Sequence, residues 1–395
     1  MGRQPVHTVY VPADGFAADT ARDWGRQAEA LLDEHADKFA TVVADADIIR
    51  RVRAKLADEP VEDLRIDFED GYVGPQGGFS DADEDEHVRT TAHSLAEAQQ
   101  AGTSPPFSGI RIKSFEAPTR PRGVRTLTRF LATYAESRGS MDGFVVTLPK
   151  VTSTEQVGAF VHAAATIEDE LGLADASVRF EVQVETPQSV LGPDGTALVA
   201  RMVHAADGRL TGLHYGTYDY SAFCGIAAGQ QSLEHPVADH AKLVMQAAVA
   251  GTGVRLSDGS TNVLPVGDGD AVHLAWANHH RLVTRSLERG FYQGWDLHPG
   301  HLPTRYAATY AFFRGGLARA LERLARYVAV RDEMVGAHPS APAISSRTGV
   351  ADEPATARAL ADFVLRGLDC GAVDATEVRD GCGLDDADLR RLARR

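Results

Sequence analysis

Cysteine is scarce in this chain. Cys224, Cys370 and Cys382 are its only three, and no two form a C-x-x-C pair, which excludes a disulfide framework and a thiolate zinc site. Positive charge is short as well: 40 Lys and Arg stand against 55 Asp and Glu, a formal charge of -15. A basic footprint for nucleic acid is missing, and an anionic membrane surface is not an expected partner. No run of about 18 apolar residues is present, so no transmembrane helix is expected. The start, Met1-Gly2-Arg3-Gln4-Pro5-Val6, lacks the apolar stretch of a secretory signal and the residue at position 6 that myristoylation prefers. The expectation is a cytoplasmic enzyme. No P-loop is found, and Gly251-Thr252-Gly253 is followed by Leu256 where a dinucleotide fingerprint needs its third glycine. Lysine is rare beside arginine: Lys38, Lys55, Lys113, Lys150 and Lys242 are all there are. A lysine kept in such a background is either a surface survivor or a place where a compact, titratable ammonium is needed.

What is present is alternation. Eight β-like runs can be counted: His7–Pro12, Leu64–Asp70, Gly109–Phe115, Gly143–Lys150, Val178–Thr186, Gly212–Tyr220, a weaker Thr261–Val266, and Gly294–Pro299. Helical patterns separate them, among them Ala17–His35, Asp85–Ala101, Ser153–Leu171 and Pro303–Val330. Ser153 with Gln156 three residues on is a capping start. Eight strand–helix units predict an α/β fold, a (β/α)8 TIM barrel. A doubly wound sheet would show a glycine-rich first turn, and none follows the first run. Residues 1–332 form the expected barrel, with a helical insertion near 38–59. Residues 333–395 form a linker and a C-terminal helical extension that packs on the barrel or on a neighbouring subunit. A homo-oligomer is therefore expected.

Side chains alternate sides along a strand. Glu181, Gln183 and Glu185 share one face while Phe180, Val182 and Val184 share the other; Arg111 and Lys113 oppose Ile110 and Ile112. The apolar set packs outward under the helices and the polar set points into the lumen. Active sites of such barrels lie at the C-terminal strand ends, and the residues there are Glu69, Asp70, Arg111, Lys113, Lys150, Glu185, Asp219 and His298. Glu185 and Asp219 close adjacent strands, about 4.8 Å apart. They can share a hard divalent ion, Mg2+ or Mn2+, or form a metal-free hydrogen-bonded pair. Arg111 either grips a carboxylate bidentately or pairs with Glu69 or Asp70. Lys150 can neutralise a substrate anion, tune a carboxylate, form a Schiff base or make a structural salt bridge. His298 is a base, an orienter or a core histidine, and the same holds for His214. His273, His279 and His280 read as a solvated helix surface. The acidic run Asp81–Glu86 reads as a solvated loop and helix start without EF-hand spacing.

These strand ends resemble the HpcH/HpaI aldolase and citrate lyase beta-subunit family of the phosphoenolpyruvate/pyruvate barrel superfamily. The matching pieces are VYVPADG at Val9–Gly15, IDFEDGY at Ile66–Tyr72, GIRIK at Gly109–Lys113, VVTLPKV at Val145–Val151, VQVET at Val182–Thr186, GTYDYSAFCG at Gly216–Gly225 and WDLHPGH at Trp295–His301. The resemblance implies that Glu185 and Asp219 bind the divalent metal, that Arg111 contacts substrate oxygens, and that Glu69 and Asp70 lie beside the metal. It implies a Mg2+-dependent carbon–carbon lyase, working through an enolate on a small 2-oxo or hydroxy acid or its coenzyme A thioester. Asp70, Lys150 and His298 would assist Arg111 in catalysis, and Glu69 and Lys113 would bind substrate. Two departures stand out. Tyr218 and Tyr220 flank Asp219, where the family carries smaller residues, and Gly71 replaces the histidine of the aldolase branch. Three rivals remain: a Schiff-base aldolase using Lys150, a phosphoenolpyruvate-utilising enzyme, and a non-catalytic metabolite sensor.

Overall fold

The structure, a computed structural model, describes residues 2–75, 78–336 and 353–394. Eight parallel strands follow one another around a barrel: β1 His7–Pro12, β2 Asp63–Asp67, β3 Phe107–Arg111, β4 Phe144–Leu148, β5 Arg179–Val184, β6 Leu210–Tyr215, β7 Arg255–Ser257 and β8 Gly294–Asp296. The order is β7-β6-β5-β4-β3-β2-β1-β8, and β8 pairs β1. A single bridge between Ser257 and Gln293, with the Asp258 N–H donating to the Gln293 carbonyl at 2.8 Å, brings the last gap together. The (β/α)8 expectation therefore holds.

The seventh strand is a correction. It lies at Arg255–Ser257, and the Thr261–Val266 run is a loop. Three residues are too few to show alternation, whereas Pro265 cannot donate to a ladder, so the apolar loop gave the stronger sequence signal. The insertion appears as helices Ala36–Val42 and Ala46–Asp58. The long helix after β8 runs from Leu302 past Val330 to Gly336; the remainder of the expected linker, residues 337–352, lies outside the described residues. Helices Pro354–Asp369, Ala375–Cys382 and Asp386–Ala393 form the extension. It packs on this chain's own barrel, where Arg314 Nη1 donates to the Ala372 carbonyl and Arg366 reaches Gln4.

The outward strand faces make the core. Val9, Ile66, Ile110, Val146, Phe180, Val182 and Leu213 are fully buried under the helices. Helix Thr154–Leu171 begins with the expected capping box of Ser153 and Gln156. The acidic run opens helix Asp81–Gln100, which Ser80 caps with Asp83. Contrary to the solvated reading, Glu84 is buried there on Lys113 at 2.7 Å.

His279 is a second correction. It is buried, stacked on His301 at 4.3 Å, and its Nε2 sits 3.1 Å from Asp296. An amphipathic helix buries one stripe, and His279 falls on it. Asp296 also takes His7 at 3.0 Å and the Arg305 guanidinium at 2.9 Å. Burial pushes His301 down to about 3, so it stays neutral. His279, Asp296 and His301 have metal-ligand spacing, but the Arg305 guanidinium already supplies the cation that Asp296 needs.

Inside the lumen the polar faces meet in layers. Nearest the N-terminal strand ends, Arg65 is fully buried between Asp63 and Glu181, with its Nη2 2.9 Å from Glu181 Oε2 and its Nε 3.2 Å from Thr147. His214 Nε2 adds a contact to Glu181 at 2.9 Å while its Nδ1 accepts from Trp295. His214, next to last in β6, thus turns its side chain down into this layer.

Candidate metal and substrate site

The next layer up carries Arg111. In the β2–β3 register it stands directly opposite Asp67, and its fork is bidentate on that carboxylate, with Nε to Oδ1 at 2.7 Å. The Tyr10 ring covers the guanidinium at 4.7 Å. Its remaining Nη1 has only long contacts, 3.4 Å to Gln183 and 3.4 Å to Glu69. Asp67 is the main partner here; the expected pair with Glu69 is present as the longer contact, and the one with Asp70 is not formed among the described residues. It also accepts the backbone N–H groups of Glu69 and Gly71 at 2.9 and 2.8 Å. This explains Gly71: a Cβ there would sit 2.5 Å from Asp67 Oδ2. Asp67 was readable in the sequence, because Arg65, Asp67 and Glu69 alternate along β2 as Glu181, Gln183 and Glu185 do along β5.

Above this layer four carboxylates gather around one ammonium. Lys150 Nζ lies 2.6 Å from Glu69, 2.7 Å from Asp70 and 3.3 Å from Asp219. Its backbone N–H donates to Glu185 Oε1 at 2.7 Å, and Gln183 holds the other Glu185 oxygen at 3.2 Å. Lys150 reaches this position with φ of 51°, a left-handed conformation that a non-glycine residue adopts only where its surroundings enforce it. Gly216 permits the close approach of the next strand end: a Cβ there would meet Glu185 Cβ at 2.4 Å. Asp219 does not end β6. It lies in the first turn of the helix Thr217–Phe223, which starts just past the strand.

The charge balance is uneven. Asp67 takes the Arg111 fork, so Glu69, Asp70, Glu185 and Asp219 are left with Lys150 and a long Arg111 contact to Glu69 at 3.4 Å. Burial pushes the Glu185 carboxyl up to about 8, although Lys150 pulls the other way. Burial likewise raises Glu69, whereas at Asp70 burial is outweighed by the Lys150 hydrogen bond and the carboxyl is lowered. Burial would lower the Lys150 ammonium, but Glu185 and Glu69 override it and hold the group well above its ordinary range. Burial and neighbouring like charge both favour the neutral form of a carboxyl, and a cation among these acids would favour the ionised form. The donors are all hard oxygens, which suits Mg2+ or Mn2+, so these residues fit such an ion.

The other expected residues lie elsewhere. Lys113 Nζ is engaged by Glu84 and by the Phe68 carbonyl at 2.8 Å. His298 accepts the Gly300 N–H at 3.0 Å, capping the turn after β8; among the described residues, no hydrogen bond or ion pair joins it to the four carboxylates. Tyr220 is buried, and the Tyr218 hydroxyl accepts the Asn262 N–H at 2.5 Å, so the two phenols anchor the wall and a loop.

A family model described as a domain of unknown function (DUF6986) matches residues 1–395. The L-malyl-CoA/beta-methylmalyl-CoA lyase of Haloarcula marismortui is 31% identical over 110 residues, a match spanning 28% of this chain and 29% of that protein. Among solved structures, a citrate lyase from Burkholderia xenovorans LB400 shares the fold at a TM-score of 0.61 and 17% identity, covering 95% of each chain. CitE from Mycobacterium tuberculosis, solved with magnesium, acetoacetate and coenzyme A, follows at 0.52 and 16% identity, covering 94% of this chain and 99% of that one. The barrel is thus the fold these two solved structures share.

Proposed function

The chain belongs to the DUF6986 family, and we propose that this member is a Mg2+- or Mn2+-dependent carbon–carbon lyase acting on a small 2-oxo or hydroxy acid or its coenzyme A thioester. The observation that carries the reading is the surplus of carboxylates over cations at the C-terminal strand ends, where Glu69, Asp70, Glu185 and Asp219 gather about Lys150. The metal-containing relatives of the same fold support it. Glu185 and Asp219 would hold the ion, with Glu69 and Asp70 beside it. Such an ion supplies Lewis-acid stabilisation of an enolate oxygen.

This chain's own residues supply the rest. Arg111, fixed by Asp67 and shielded by Tyr10, has Nη1 free to exchange its long contacts for a substrate carboxylate or a developing oxyanion. A donor held in advance where negative charge develops accelerates such a reaction more than any other single device. Lys150 stays protonated and offsets substrate charge. Asp70, ionised and the most exposed of the four acids, is positioned to accept the hydroxyl proton during cleavage; His298 would first have to leave its turn. The protonated Lys150 disfavours the Schiff-base route, because that nucleophile must be neutral.

The test is turnover. Purified protein with Mg2+ is screened against 2-oxo acids, 2-hydroxy acids and acyl-CoA thioesters. Cleavage or condensation that a chelator abolishes is expected. Borohydride trapping of substrate on Lys150, or activity indifferent to chelator, contradicts the reading.

A further inference from the structure

We propose that the opposite end of the barrel, at the N-terminal strand ends, carries a second binding site for a small doubly charged oxyanion held between Arg179 and Arg255. A cavity of about 420 Å3 opens there, reaching up to the buried layer of Arg65, Asp63 and Glu181. Arg179 is the first residue of β5 and Arg255 the first of β7. Both share the lumen-facing alternation, since Arg179 precedes Glu181 by two and Arg255 stands opposite Gly212. Gly212, on the strand between them, puts no side chain in the way. Two strand spacings separate them, about 10 Å, a gap that two guanidinium forks can close around one phosphate or dicarboxylate.

Neither arginine forms an ion pair with any carboxylate among the described residues. Arg255 donates to the Gly2 carbonyl at 3.2 Å and lies over the Phe107 ring at 5.5 Å. The cavity's own acids are already engaged: Asp63 and Glu181 flank Arg65, and His214 also holds Glu181. Burial pulls the Arg255 guanidinium below its ordinary value, because the nearby acids do not compensate for lost water. A half-buried cation without a counterion is costly unless something supplies one. Arg255 also lines a neighbouring cavity of about 360 Å3 against the C-terminal extension, room for the body of a larger ligand. The site is independent of the lyase reading.

The experiment is calorimetric titration of the full-length protein with inorganic phosphate and, separately, with succinate, in buffer free of divalent metal. At least one should bind saturably. Binding should weaken tenfold or more in both Arg179→Gln and Arg255→Gln, and stay unchanged in Asp219→Asn. Because neither arginine has a carboxylate partner, both variants should keep the wild-type Tm. If a glutamine variant fails to fold, Arg255→Lys keeps the charge without the fork and should still weaken binding. Saturable binding of neither anion overturns the proposal. So does binding that survives the variants, or binding lost in Arg111→Lys instead.

Discussion

The two ends of the lumen are built from the same strands and carry opposite imbalances. At the floor, one arginine, Arg65, answers two buried acids, and two more arginines, Arg179 and Arg255, stand at the rim without a carboxylate partner among the described residues. At the mouth, Arg111 is answered by Asp67, and four further acids surround a single lysine. Alternation along β2 and β5 places charge in both, but at the mouth the acids outnumber the cations, and burial pushes one of them, Glu185, up to about 8 although Lys150 pulls the other way. The difference teaches that charge in a barrel lumen is not itself a site. What marks one is the part of the charge that the protein leaves unanswered.

The largest effect should come from breaking the floor. Arg65→Leu strands Asp63 and Glu181 in the core and should cost about 3–5 kcal/mol of stability, the usual consequence of removing one partner of a buried pair; denaturant unfolding measures it, and Mg2+ should not restore it. Next is Arg111→Lys, which keeps the charge but loses the fork. Turnover should fall roughly 100- to 1,000-fold, the scale of losing one preorganised donor, and steady-state kinetics read it. Gly216→Ala forces a Cβ onto Glu185 and should cost about 1–3 kcal/mol, as overpacking does, with weaker Mg2+ binding seen by calorimetry. The pH dependence is the finest probe. Glu185 releases its proton near pH 8 in the absence of metal. Below that pH an incoming cation must displace the proton, so Mg2+ affinity should fall as pH drops, by up to about tenfold per unit. Above it the dependence should flatten, and Glu185→Gln should abolish it.

Much of this was legible because strand alternation is a local rule. Glu181, Gln183, Glu185 and Arg111 can be assigned to the lumen from spacing alone. The rest depends on three-dimensional neighbours. Asp67 lies on the right face, but it sits below the strand end, where spacing gives no sign that it outcompetes Glu69 for Arg111. The strand-like pattern runs on through Asp219, yet the chain turns into a helix after Tyr215. Lys113 looks equivalent to Lys150, but Glu84 from a neighbouring helix claims it. His279 looks solvated by polarity, and its place on the buried stripe decides otherwise. All five lysines carry an ion pair; among the described residues only Lys150 has three acids at its head, a distinction no sequence pattern encodes.

The most direct test is a calorimetric titration of Mg2+ into the wild-type protein and into the Glu185→Gln/Asp219→Asn double variant at pH 8. One saturable site in the wild type, weakened at least a hundredfold in the double variant, is the predicted result. Equal uptake by both proteins, or none by either, would contradict the account.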